Sequence, residues 1–137
     1  MKMLIAQVVA AVALALSLPA AAAECTYPRA PDTMPDGNTA SLDEMKAAKK
    51  DYDAYNSAMS VYLDCLKADY EASLPKIEDS MSDAKKKEIQ KQRDDSEKRF
   101  TAKYDSAVDE VHSVMDRFNE QIRSFNAKRK AAKEKSG

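Results

Sequence analysis

The sequence predicts an all-α protein: a long antiparallel two-helix hairpin with an N-terminal proline-rich extended arm clipped to helix 1 by a disulfide. Three observations carry this. Gly37 is the only glycine before the terminal Gly137, and the prolines are confined to a few places, so long stretches are free of helix breakers. Two stretches, 41–66 and 100–125, space their apolar residues by three and four. The two cysteines, Cys25 and Cys65, flank a proline-rich segment and most of the first helical stretch.

Residues 1–23 read as an export leader. Lys2 supplies the positive start, LIAQVVAAVALALSL the apolar run, and Ala21 and Ala23 an A-x-A cleavage site. The apolar run is short for a membrane span of about 20 residues, which favours cleavage over an uncleaved anchor. The expected mature chain therefore starts at Glu24 and is periplasmic. A charged residue directly before Cys25 speaks against lipid attachment there.

Export places both cysteines in an oxidising compartment, so a Cys25–Cys65 bridge is the natural inference, with an intermolecular bridge as its rival. Zinc or redox chemistry would need further ligands or a C-x-x-C, and the sequence has neither pattern.

The arm and its turn span residues 24–40. Pro28, Pro31 and Pro35 exclude helix and favour polyproline II, whose three-residue repeat puts Cys25, Pro28, Pro31 and Met34 on one face. From Cys25 to Met34 such a segment covers about 28 Å at about 3.1 Å per residue. That equals about 19 residues of helix at about 1.5 Å each, so an arm anchored at Cys65 reaches Met45 or Lys46. Pro35-Asp36-Gly37-Asn38 reads as a turn in which Gly37 takes positive φ.

Helix 1 is expected over about 41–73. Ser41 and Glu44 form a capping box, and Met45, Ala48, Tyr52, Tyr55, Met59, Tyr62 and Leu66 make one face. Tyr52, Tyr55 and Tyr62 should pack between arm and hairpin with their hydroxyls at the rim. Leu74-Pro75 ends or kinks the helix, and residues 74–82 form the connection, with Ser80 or Ser82 as the next cap.

Helix 2 is expected over about 83–131, completing a hairpin over 41–131, with 132–137 a frayed basic tail. Its stripe runs through Phe100, Tyr104, Ala107, Val111, Val114, Phe118 and Phe125, widened by Met115 and Ile122. Residues 41–80 hold five lysines against nine carboxylates and residues 81–137 fifteen basic against eleven acidic, which suits antiparallel pairing.

With 22 basic against 23 acidic side chains, the balance gives no electrostatic case for nucleic acid. The only histidine, His112, has Asp109 and Asp116 at i−3 and i+4, a weak candidate for a divalent ion and also an ordinary solvated helix face. Met34, Met45, Met59, Met81 and Met115 lack the clustering of a copper site and fit core packing. One histidine and no glycine-rich loop leave no catalytic constellation, and no cofactor is expected. Basic runs at 85–87 and 128–135 read as solvated faces.

Cys25, Pro28, Pro31, Pro35-Asp36-Gly37, Ala40, Glu44-Met45, Tyr55, Tyr62-Leu63-x-Cys65-Leu66 and Phe118-Asn119-Glu120 resemble a group of small, exported, uncharacterised proteins of Gram-negative bacteria. The resemblance implies compartment and architecture and carries over no catalytic or binding residue.

The leading expectation is a non-enzymatic exported interaction protein: a scaffold, adaptor or chaperone-like hairpin with a protein partner or a second copy. If the hairpin turns near residue 78, Met45 faces Val111, and Phe118, Ile122 and Phe125 are left as a candidate interaction surface. The alternatives are a weak metal- or small-ligand-binding module, or a protein that meets membrane or cell wall through its basic C-terminal helix. Membrane contact is the less favoured of these readings.

Overall fold

A computed structural model describes residues 24–136. The expected leader, its cleavage site and Gly137 lie outside the described residues. Two helices follow an extended arm: α1 spans Leu42–Ser73 and α2 spans Asp83–Ser136, packed against each other. The all-α hairpin with a disulfide-clipped arm is the architecture the sequence predicts.

α1 begins where its capping box closes. The Ser41 backbone N–H donates to the Glu44 carboxylate at 2.7 Å, and the Glu44 N–H donates to Ser41 Oγ at 3.3 Å. The Ser41 backbone N–H, joined by the Ser41 hydroxyl donating to the same carboxylate at 2.8 Å, holds the Glu44 carboxyl below its ordinary pKa. The helix stops at Ser73 because Leu74 precedes a proline and takes extended geometry, φ −70° and ψ 121°. α2 starts after Ser82, whose hydroxyl accepts from the Lys85 N–H at 3.4 Å. Helix continues past Ala131 to Ser136, with Lys133 and Lys135 in the last turn, where cations offset the macrodipole.

The connection is not a tight turn. Residues 74–78 run extended and the chain reverses only at 79–81, where the Met81 N–H donates to the Glu78 carbonyl at 3.1 Å. The register follows from this. Tyr70 stacks on Phe100 with ring centroids 4.6 Å apart, and Tyr52 on Phe118 at 5.4 Å. Relative to a reversal at residue 78, each α1 residue meets α2 about fourteen positions later, a shift of roughly 20 Å at about 1.5 Å per residue.

Two apolar clusters result. Tyr55, Met59, Tyr62, Leu66, Ala107 and Val114 form one, and Ala40, Met45, Phe118 and Phe125 the other, with Met34 of the arm packed against both. Met59 and Val114 are the largest side chains fully buried. The arm lies along the hairpin from Cys65 towards the α1 N-terminus: Cys25 is bonded to Cys65 with Cα atoms 5.7 Å apart, and Met34 and Pro35 share a surface cleft with Glu44 and Ala48.

Gly37 does not serve the turn in the way expected. Among the described residues no glycine has positive φ. Gly37 is needed for close approach instead: a Cβ there would sit 2.1 Å from the Gln121 carbonyl oxygen and 2.8 Å from the Phe125 nitrogen. The Gly37 N–H donates to Gln121 Oε1 at 2.9 Å, while the Ala40 and Thr39 N–H groups close the turn on the Asp36 carbonyl.

Candidate functional site

The structure places the three sequence-derived candidates very differently. Phe118 and Phe125 are buried, at 5% and 7% exposure, and Ile122 is half-buried beside them. They are not an open interaction surface. The extended connection slides α1 along α2 until Met45, Tyr52 and the Ala40 turn cover them, which corrects the expected register and removes the surface it left bare. His112, Asp109 and Asp116 are all exposed, and among the described residues no group of three or more His, Cys, Asp or Glu side chains is placed to hold a metal ion.

The basic runs are also separated by the fold. Lys85 pairs with Glu88 at 2.9 Å and Lys86 donates to the Asp79 carbonyl at 3.1 Å, so the first run is tied to its own neighbourhood. In the second, Lys128 donates to the Ala40 carbonyl at 3.1 Å and Arg129 lies over the Phe125 ring at 5.7 Å. Beyond them residues 130–136 are exposed.

The most structured polar arrangement lies under the arm. The Cys25–Cys65 bridge pins one end of the arm, and two residues on, the Tyr27 ring meets Tyr62 edge-on at 4.9 Å. The Tyr27 hydroxyl donates to Glu110 Oε2 at 2.5 Å, tying the arm to α2 as well as to α1. Tyr55 projects into the same place from α1. Its hydroxyl is buried beside the Glu110 carboxylate without a hydrogen bond of good geometry, and the residue is only 4% exposed. The expectation that the three tyrosine hydroxyls sit at the rim therefore fails for Tyr55, because the arm closes over it.

Both phenols are pushed above their ordinary pKa. For Tyr27 the cause is desolvation, then the hydrogen bond to Glu110 and that carboxylate's charge. For Tyr55 it is burial, then the nearby Glu110 charge, with Arg117 opposing. A neutral phenol donating to a carboxylate is a latch that holds two elements together.

Sequence reasoning did not single out Tyr27 or Glu110. Tyr27 lies off the Cys25–Pro28–Pro31–Met34 face, and Glu110 lies next to the α2 stripe, where it reads as solvated. Only the observed register brings them together.

On the opposite side of the hairpin, no arm residue among the described residues lines the seam. Asn56, Met59, Ser60, Leu63, Val108 and Val111 form a shallow cleft of about 80 Å³. Leu63, Val108 and Val111 are half-buried there. Among the described residues, no helix is long and apolar enough to cross a membrane.

No curated protein and no solved structure matches the chain. A family model does match, over residues 38–136, which takes in the end of the turn and both helices and leaves the chain before Asn38 outside. The chain belongs to the family described as protein of unknown function (DUF1351).

Proposed function

We propose that the chain is a non-enzymatic, exported interaction protein of the periplasm, a scaffold or adaptor that meets a helix of a partner protein along its arm-free seam. The observation that supports this is the asymmetry of the hairpin. One side is closed by the arm, while the other leaves Leu63, Val108 and Val111 half-buried between two polar rims. A third helix is the natural cover for such a seam, since it adds apolar side chains at the spacing the two helices already present. Among the described residues no charged side chain is buried, which suits a role played by surfaces. The leader-like start of the sequence and its resemblance to exported proteins of Gram-negative bacteria support the compartment.

Photo-crosslinkers at Leu63 and Val111, with one at exposed His112 as control, test this in periplasmic extracts. The expected result is a discrete adduct from the two seam positions and not from the control. An adduct at twice the chain mass assigns the seam to a second copy, and no seam adduct above the control contradicts the proposal.

A second reading has one observation in its favour. Lys130, Lys133 and Lys135 are exposed at the end of α2, where they can meet anionic lipid or cell wall. Co-sedimentation with anionic vesicles that is lost on removing residues 128–137 would favour it; binding unchanged by that truncation would exclude it.

A further inference from the structure

The arm sits on the hairpin in the way a bound peptide would. It is extended, and it carries no regular secondary structure of its own between residues 24 and 31. Pro28, Pro31 and Met34 are half-buried at three-residue intervals, while Arg29, Asp32 and Thr33 point outward. Ala30 and Met34 pack on the cluster of Tyr55, Met59, Tyr62 and Val114. The main polar anchor is a side-chain latch, Tyr27 to Glu110. Grooves lined by aromatic residues are a general mode of recognising polyproline segments.

Two features suggest that the groove is not matched to the arm alone. The Tyr55 hydroxyl is buried in it without a hydrogen bond of good geometry, beside a Glu110 carboxylate that Tyr27 already engages, so another segment can satisfy it more fully. The family match covers the groove-forming helices and begins after the arm segment that fills the groove.

We propose that the α1–α2 groove is a recognition site for an extended, proline-containing peptide, that residues 25–34 fill it in cis, and that the Cys25–Cys65 disulfide controls entry of a segment in trans. The proposal extends the reading of the chain as an interaction protein, at a different face from the open seam. With the disulfide intact the arm is held at both ends, by Cys65 and by the Gly37 wedge against α2, and a peptide cannot compete. Opening is a thiol–disulfide exchange with a dithiol. One dithiol sulfur attacks the bridge, the Cys25–Cys65 bond breaks, and two electrons and two protons pass to the cysteines. The products are two thiols here and a disulfide in the reductant. Both cysteines are only partly buried, which leaves the bridge within reach.

The test is fluorescence anisotropy of a labelled peptide with the sequence of residues 24–36, carrying serine in place of its cysteine. It is titrated against the full chain, disulfide intact, and against the Cys25→Ser/Cys65→Ser chain, with helix content checked by circular dichroism. If the double variant loses its helix signal, the titration is made in a stabilising osmolyte that restores it. The oxidised chain should leave the peptide free, and the double variant should bind it saturably. Replacing Pro28 and Pro31 of the peptide by Ala should abolish binding, and Glu110→Gln in the chain should weaken it about tenfold, the loss of one charge-assisted hydrogen bond. A helical double variant that leaves the peptide unbound overturns the proposal, as does an oxidised chain that binds it equally well. Crosslinks at Leu63 and Val111 report on the opposite seam, so either test can fail without deciding the other.

Discussion

Two stretches of α2, one carrying an apolar stripe and one almost wholly charged, are held very differently. Between residues 107 and 125, Ala107, Val114, Phe118 and Phe125 are buried, because α1, the arm and the 36–40 turn close around them. In α2 before residue 100, Ile89 is the only buried side chain, and Leu74, Pro75 and Met81 of the connection are half-buried. The difference lies in the apolar residues each stretch offers and in the number of partners that cover them. A helix packed on one neighbour buries a single seam, and its flanks stay wet. A third element on one flank turns that seam into a core. The arm is thus a structural layer as well as a tether, and the disulfide is what makes a segment without a ladder or helix of its own hold that place.

The largest contrast should appear when each end loses its principal side chain. Phe118→Ala removes a ring stacked on Tyr52 inside a closed cluster and should cost about 3–5 kcal/mol in urea denaturation. Ile89→Ala, made at a side chain outside both apolar clusters, should cost about 2 kcal/mol. Equal costs would mean that the arm adds no rigidity.

Gly37→Ala tests the arm side alone. The added methyl would meet backbone atoms of α2, which cannot swing aside, so the turn must lift. A loss of about 1–3 kcal/mol is expected, with Phe125 becoming accessible to quenchers or exchange. A neutral result would show that the turn has room to move.

The latch has a pH signature. Both Tyr27 and Tyr55 have folded-state pKa values raised above the ordinary 10.0, by desolvation first and by Glu110 after it. Their stabilising contribution is complete below that value. As pH rises past about 10 the unfolded chain gives up those protons first, so stability falls. Tyr27→Phe should flatten that fall and itself cost only about 1 kcal/mol, because the ring is 44% exposed and keeps its contact with Tyr62. An alkaline melting profile identical in the variant would remove the latch from the account. Ser41→Ala, which breaks the capping box at the end of α1 nearest the turn, is the smallest effect, about 1 kcal/mol.

Much of the architecture is legible in the sequence. The scarcity of glycine, the Ser41–Glu44 pair, Pro75 and the two cysteines are local signals, and each acts within a few residues of where it stands. The reach of the arm from Cys65 to the region of Glu44 followed from rise per residue alone. Register was not readable in the same way. Residues 74–82 look like a turn because of Pro75, yet whether they reverse at once or run back along α2 depends on what there needs cover. In residues 83–99 the sequence offers one apolar clue, Ile89, among charges. A hairpin reversing at once shifts every contact between the helices and leaves Phe118, Ile122 and Phe125 looking bare. The same displacement hid Glu110 from Tyr27, so the polar centre under the arm became visible only in three dimensions.

Native-state hydrogen exchange along α2, with and without a dithiol reductant, addresses the arm's role most directly. With the disulfide intact, amides of residues 107–125 should exchange slowest and those of 83–99 markedly faster. Reduction should accelerate 107–125 most and narrow the gap. If reduction leaves 107–125 as protected as before, or if 83–99 is equally protected from the start, the arm is an ornament on a self-sufficient hairpin and the account is wrong.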